Sequence, residues 1–410
     1  MIFSSFLMYF MILQPKYSGK RHAAKRAWNL LKKMEALNLN RYTDVKPNTE
    51  CYKYVLQAIS NANIKHLPSG GEIVNQILST METDGLVPNS DCFSYAIKTW
   101  CNKALYNEST PQQRFKDAIQ ARTVLRKMDQ MYYRSGSIEV RPTTYDYSNV
   151  IETFSKCSSY SGAVEAAESL LNIMEQKYQD GDVFLMPTSE NYVSIIAAWK
   201  NSPDVEMRVD GAKRVFELMK KQYQNGNHAC KPTVEAYNAI ITVCRSVEFA
   251  DAGDENKRKA LECVVDTINE MQATKEIKMN AMTYNLTLNA FCNLLEKGSR
   301  EQVKAIESVF SKCCAEGLVD KRVLHKMQRY APHDIYRRSV LKHASKESNR
   351  ARGLYLPQEW SRKINGDRPV IPFSMDGNYR SERKHEMSER KMRRLRKRKN
   401  QRLLQGGRMS

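Results

Sequence analysis

Two apolar patterns alternate along most of this chain. In the first, a proline is followed by Asn or Thr and then by an aromatic that heads an apolar stripe. Tyr192, Ile195, Ile196 and Trp199 show its i, i+3, i+4, i+7 spacing, which is what one buried helix face requires. The proline and aromatic recur as Pro47/Tyr52, Pro88/Phe93, Pro142/Tyr147, Pro187/Tyr192 and Pro232/Tyr237, and Met279/Tyr284 lacks the proline but keeps Asn280. In the second pattern a small residue precedes a long one on the same helix face: Ala27/Met34, Val74/Met81, Ala121/Met128, Ala167/Met174, Ala212/Met219, Val264/Met271 and Ala305/Lys312. The two patterns keep a regular step except where charged inserts, around Asn107–Phe115 and Asp251–Lys257, lengthen the connection. Constant core spacing with variable loops is the signature of stacked helical hairpins sharing one core.

The residue after each proline is placed to cap the first helix, its side-chain oxygen accepting an otherwise unpaired N–H. Two positions further on, Glu50, Asp91, Glu190 and Glu235 meet the positive end of the helix dipole. The opening IFSSFLMYFMIL is too short an apolar run for the roughly twenty residues that span a bilayer. Counting back from Ala27 places Phe6 where a first-helix aromatic would stand. Residues 1–46 therefore read as a first hairpin, with a start that falls inside a repeat. Six further repeats are expected over 47–320, starting near 47, 88, 142, 187, 232 and 279.

Composition narrows the chemistry. With 17 Gly and 13 Pro in 410 residues and 41% hydrophobic positions, the chain reads as all-α. Its ten cysteines show neither a CxxC pair nor zinc spacing, so they read as reduced thiols in the core. The net charge is +20, and residues 321–410 carry +18 of it. The repeat body is thus nearly neutral, and any anion binding by it must come from a locally sorted face.

Capped first helices, an aromatic near their start with a polar residue after it, and A-x6-M second helices resemble the pentatricopeptide repeat family over about Phe6 to Asp320. The units are longer than that family's usual repeat, mainly through extra residues after the second helix, as in QKYQDGDVFLMP. The resemblance implies a right-handed α-solenoid of stacked antiparallel helical hairpins that binds single-stranded RNA, one base per repeat. It assigns base reading to the residue after the aromatic, partnered by the residue after the next unit's proline. The pairs carried over are Lys53 with Asn89, Ser94 with Thr143, Ser148 with Thr188, Val193 with Thr233, Asn238 with Asn280, and Asn285 with Asp320. Asn238/Asn280 and Asn285/Asp320 resemble pyrimidine-reading pairs, the latter a uridine pair. The acids two residues before the aromatic repel phosphates, so modest affinity is expected, with base reading concentrated toward the C-terminal units. A mitochondrial or plastid location is implied by the resemblance alone, with the nucleus as the alternative.

Beyond Asp320, residues 321–345 read as a basic helix capping the stack, and 346–410 as a loosely ordered basic tail. The run KMRRLRKRK, residues 391–399, contains Arg393, Arg394, Arg396, Lys397, Arg398 and Lys399, which would attract an RNA backbone by counterion release. No phosphate loop, HExxH or nucleophile elbow is present, so neither enzyme activity nor a cofactor or metal is expected. The reading is a monomeric RNA binder acting in organellar RNA processing, stability or translation, without a membrane. Its alternative is a helical-repeat scaffold within a ribosomal or RNA-processing assembly, the tail gripping RNA.

Overall fold

The computed structural model describes residues 23–39, 46–106, 108–247, 253–274, 276–343, 353–354, 356–365 and 373–374. The first helix expected around Phe6 and the basic run at 391–399 lie outside the described residues. The chain divides into two units, 1–278 and 279–410, each described by itself.

In the first unit, α1 (Ala23–Leu39) is a second-type helix that packs on α2 (Thr49–Ser60), and α2 is followed by α3 (Gly70–Thr83). Four further hairpins follow: α4 (Ser90–Ala104) with α5 (Pro111–Ser135), α6 (Thr144–Lys156) with α7 (Ala163–Gln179), α8 (Ser189–Trp199) with α9 (Met207–Gln224), and α10 (Val234–Ser246) with α11 (Asp254–Ala273). The first helices α2, α4, α6, α8 and α10 pack side by side in one layer. Each second helix touches its own first helix and the next one, while second helices barely meet one another. This is a two-layer solenoid whose first-helix layer is the tighter one.

The caps form as the prolines suggest. Asn48 and Asn89 accept from the backbone N–H of Cys51 and Cys92 at 3.0 and 3.1 Å, and Thr233 accepts from Ala236 at 3.4 Å. Behind the caps, Tyr52, Phe93, Tyr147, Tyr192 and Tyr237 are each at most 2% exposed, as are the small and long partners Val74/Met81, Ala121/Met128, Ala167/Met174 and Ala212/Met219. Trp199 completes the α8 stripe and lies against Gly211 of α9, where any Cβ would overlap the indole ring. Glycine there lets the two helices approach.

Each buried tyrosine of this unit solves the problem of its hydroxyl in the same way, by donating to a second-helix carboxylate. Tyr52 reaches Glu35 and Asp84 at 3.3 and 3.2 Å, Tyr147 reaches Asp129 at 2.5 Å, Tyr192 reaches Glu175, and Tyr237 reaches Glu270 at 2.9 Å.

The extra residues after α5, α7 and α9 form one turn, used three times. Gly136, Gly181 and Gly226 take positive φ, which only glycine adopts without strain. Ser137, Asp182 and Asn227 then cap single 3-10 turns, and Val140, Leu185 and Cys230 are buried beneath them. Successive turns are tied together: Arg141 pairs with Asp182 at 2.6 Å, Asn227 donates to the Pro187 carbonyl at 3.0 Å, and Lys231 pairs with Glu276 at 2.5 Å. The long repeats thus gain a third row of contacts along one edge of the stack.

The second unit holds the hairpin α12 (Ala281–Leu294) and α13 (Arg300–Ala315), followed by α14 (Lys321–Tyr330), α15 (His333–Ser339) and the one-turn α16 (Arg362–Asn365). Asn280 caps α12 through the N–H of Thr283 at 2.9 Å, and Asp320 caps α14 through Val323 at 2.8 Å. Tyr284 is 1% exposed. The Ala305/Lys312 pair is a correction to the sequence reading: α13 buries Gln302, Ile306, Val309, Phe310 and Cys313, and Lys312 is exposed. A lysine ammonium loses too much hydration to occupy the methionine position, so the stripe turns by one residue. Within the stretch expected to be loose, residues 356–365 dock on α13. Trp360 meets Phe310 edge to face at 5.7 Å, and its carbonyl accepts from Val319 N–H at 2.8 Å. Gly353–Leu354 and Phe373–Ser374 form a short antiparallel pair. None of the ten cysteines is in a disulfide.

Candidate nucleic-acid interface

The face of the first-helix layer turned away from the second helices carries the residue after each buried aromatic. Ser94, Ser148 and Val193 stand there half-buried on α4, α6 and α8, and Asn238 on α10. An open groove of about 460 Å³ runs across α6, α8 and the start of α10, lined by Ser148, Glu152, Val193, Ser194 and Thr233 among others. Asn191, Glu190 and Glu235 also line it. Two of the four carried-over pairs contained within this unit contribute to the groove: Ser148 from its pair with Thr188, and both members of Val193 with Thr233.

The charge around the groove is uneven. Lys53 lies 2.7 Å from Glu50 and 4.0 Å from Asp91, which neutralises the helix-start acids of α2 and α4. Glu152 pairs with Lys156 at 2.5 Å, whereas Glu190 and Glu235 have no ion pair among the described residues. Phosphates are therefore repelled from this part of the layer, and a ligand entering the groove must be held by uncharged groups.

Two of the four within-unit pairs are not independent side chains. Ser94 Oγ donates to Asp146 Oδ1 at 2.5 Å, and Thr143 donates its backbone N–H and its hydroxyl to Asp146 Oδ2 at 2.9 and 2.7 Å. One unit later, Asn191 Nδ2 donates to Ser148 Oγ at 2.8 Å, and Thr188 donates its N–H and hydroxyl to Asn191 Oδ1 at 3.0 and 3.1 Å. Asp146 and Asn191 are the third residues of α6 and α8, 0% and 3% exposed, and each bridges both members of a pair. Burial pushes the Asp146 carboxyl pKa up from its ordinary value, against the opposing pull of hydrogen bonds from Ser94 and Thr143. Sequence reading missed this bridge. Its signal was the coincidence of serine after one aromatic with Asp or Asn before the next, where other units have Cys92 or Ala236.

Val193 has no hydrogen-bonding group and Ala236 follows it at the bridging place, so that unit presents an apolar wall. Asn238 in the first unit and Asn285 in the second share a different property: each has a buried side-chain oxygen with no donor. An unmet buried acceptor costs about 1–3 kcal/mol, which a donor group could recover. Asn280 and Asp320 are occupied as caps, and Asp320 Oδ1 already accepts from Val323. The six basic side chains from Arg393 to Lys399 lie outside the described residues. Among the described residues no group of His, Cys, Asp and Glu could hold a metal, and no helix is long and apolar enough to cross a membrane.

Comparison with known proteins adds the following. Residues 190–246 match the family model of the pentatricopeptide repeat domain. Among solved structures, the chain is similar to the pentatricopeptide repeat protein PPR10 from maize, with 16% identity over 78% of this chain and 55% of that one, at a TM-score of 0.28. PPR10 in complex with an 18-nt psaJ RNA element is similar at 15% identity over 82% of this chain and 47% of that one, at a TM-score of 0.36. The chain spans about half the length of these proteins. No curated protein sequence matches it significantly. The matched residues cover α8, α9 and α10, so this stretch is similar to a pentatricopeptide repeat domain, and the same capped hairpin with its buried aromatic recurs before and after it.

Proposed function

We propose that the chain binds single-stranded RNA along the free face of its first helices, with base edges rather than phosphates held in the array. The observation that carries this is the groove across α6, α8 and α10, walled by the residues after successive aromatics and by the following cap. Such a surface offers each repeat's hydroxyls and amides to a base edge while its acids keep the backbone outside. The match of residues 190–246 to the pentatricopeptide repeat domain falls on helices that line this groove and supports the same reading. Affinity comes chiefly from the basic run at 391–399, and preference from the repeats. The site of action proposed is organellar RNA processing, stability or translation.

The test is to crosslink and sequence RNA bound by the full chain, and to compare wild type with Asn238→Ala and Asn285→Ala. Each change is expected to erase preference at one nucleotide, a loss of roughly 1–3 kcal/mol of discrimination. A preferred motif untouched by both would refute the base-reading assignment. A second reading, a protein-binding scaffold, is favoured by Ile138, Val183 and Phe184, which stand 78%, 65% and 55% exposed on the edge turns. It gains if substituting these three by serine releases a protein partner while RNA binding persists.

A further inference from the structure

Ser94 and Ser148 occupy the same place in successive repeats, yet their hydroxyl protons are committed differently. The bridging residue decides this. The Thr143 backbone N–H can only donate to Asp146, and with that carboxyl ionised both its oxygens accept, so the hydroxyls of Ser94 and Thr143 donate inward to it. What each hydroxyl then offers outward is lone pairs. In the next unit the amide of Asn191 is oriented without ambiguity, because the Thr188 backbone N–H can only donate and does so to Oδ1. Nδ2 therefore faces Ser148, which must accept. The Ser148 proton has no acceptor among the described residues, and its side chain lines the groove.

We infer that Asp146 and Asn191 set the hydrogen-bonding polarity of the serine in the preceding repeat and so which bases that repeat accepts. The inference rests on the RNA reading proposed above. The Ser94/Thr143 pair, flanking one carboxylate, shows two acceptors. A base facing it must bring two neighbouring donors, and guanine, with N1–H beside its N2 amino group, is the base whose pairing edge does so. The Ser148/Thr188 pair shows a free proton beside an acceptor. Every base carries an acceptor next to a donor on its pairing edge, so this repeat is permissive. Asp146 and Asn191 thus make one unit selective and its neighbour tolerant with the same serine in both. Asp146 and Asn191 are positioning residues: their side chains are buried, and they act through Ser94 and Ser148.

The experiment selects RNA from a random single-stranded library with the full chain and its variants, reading base frequency at each bound nucleotide. Wild type is expected to enrich guanine at one nucleotide. Asp146→Asn copies the neighbouring unit's bridge, turns the Ser94 proton outward and should reduce that enrichment about tenfold, with other nucleotides unchanged. Asn191→Asp should create a new guanine preference one repeat away. Ser94→Ala removes one acceptor without touching the bridge's contacts to the cap, and should also weaken the guanine preference should Asp146→Asn fold poorly. A chain that selects RNA but keeps the same base frequencies in all three variants overturns this inference alone. Failure of the full chain to bind any single-stranded RNA overturns it together with the proposed function.

Discussion

Tyr192→Ala is expected to lower stability by about 3–5 kcal/mol, measured by urea or thermal unfolding. That is a large share of the 5–15 kcal/mol typical of a folded domain. The ring is fully buried behind the α8 cap, and its hydroxyl donates to Glu175 of the preceding second helix, itself only 8% exposed. Truncation removes the ring's contacts and also takes one hydrogen-bond donor from a buried carboxyl. Tyr192→Phe isolates the second loss and should cost about 1–3 kcal/mol. Because repeat arrays fold by nearest-neighbour coupling, the alanine variant should open the stack locally, with hydrogen exchange accelerating first in α7, α8 and α9. Uniform acceleration over the unit, or a loss below 1 kcal/mol, would contradict the placement of this residue.

Alkaline conditions should unfold the array. Burial raises the phenol pKa values of Tyr52, Tyr147, Tyr192, Tyr237 and Tyr284, and the nearby carboxylates push them the same way: Glu35 and Asp84, Asp129, Glu175, Glu270 and Glu316 respectively. The sign follows directly. A phenol raised in the folded state holds its proton when the unfolded chain has lost it, so unfolding releases protons above the ordinary tyrosine value near pH 10. The stability linked to these groups is fully present below that value and falls as pH rises beyond it. Five groups acting together make the loss steep. Phenolate absorbance should therefore appear in two phases: a gradual one from exposed tyrosines, and a cooperative one coinciding with loss of helical circular dichroism. If all tyrosines titrate gradually while the helical signal persists, the buried hydroxyl–carboxylate pairs do not exist as described.

Most of the repeat architecture was legible because its determinants are local and periodic. The caps at Asn48, Asn89, Thr233 and Asn280 follow from a short polar side chain ahead of an apolar stripe, and the aromatics from that stripe's spacing. Less legible were features made by residues tens of positions apart. Tyr192 and Glu175 belong to different hairpins, although an acid directly after Met34, Met128 and Met174 marked the second-helix partners of three tyrosines. The Ser94–Asp146 and Ser148–Asn191 bonds cross from one repeat to the next, so a reading of each unit as a closed module could not find them. Ser94 and Ser148 consequently looked like free base readers, when each is already oriented by a buried neighbour. The docking of Trp360 on Phe310 was hidden for another reason: it depends on one side chain in a segment without apolar period.

The central claim is that the free face of the first helices meets RNA. Ultraviolet crosslinking of the full chain to its selected RNA, with the attached peptides identified by mass spectrometry, tests it most directly. Crosslinked peptides are expected from the N-terminal turns of α4, α6, α8 and α10, with exposed Tyr145 among the attachment points. Attachment confined to the second helices α5, α7, α9 and α11, or to the edge turns bearing Ile138 and Phe184, would contradict it.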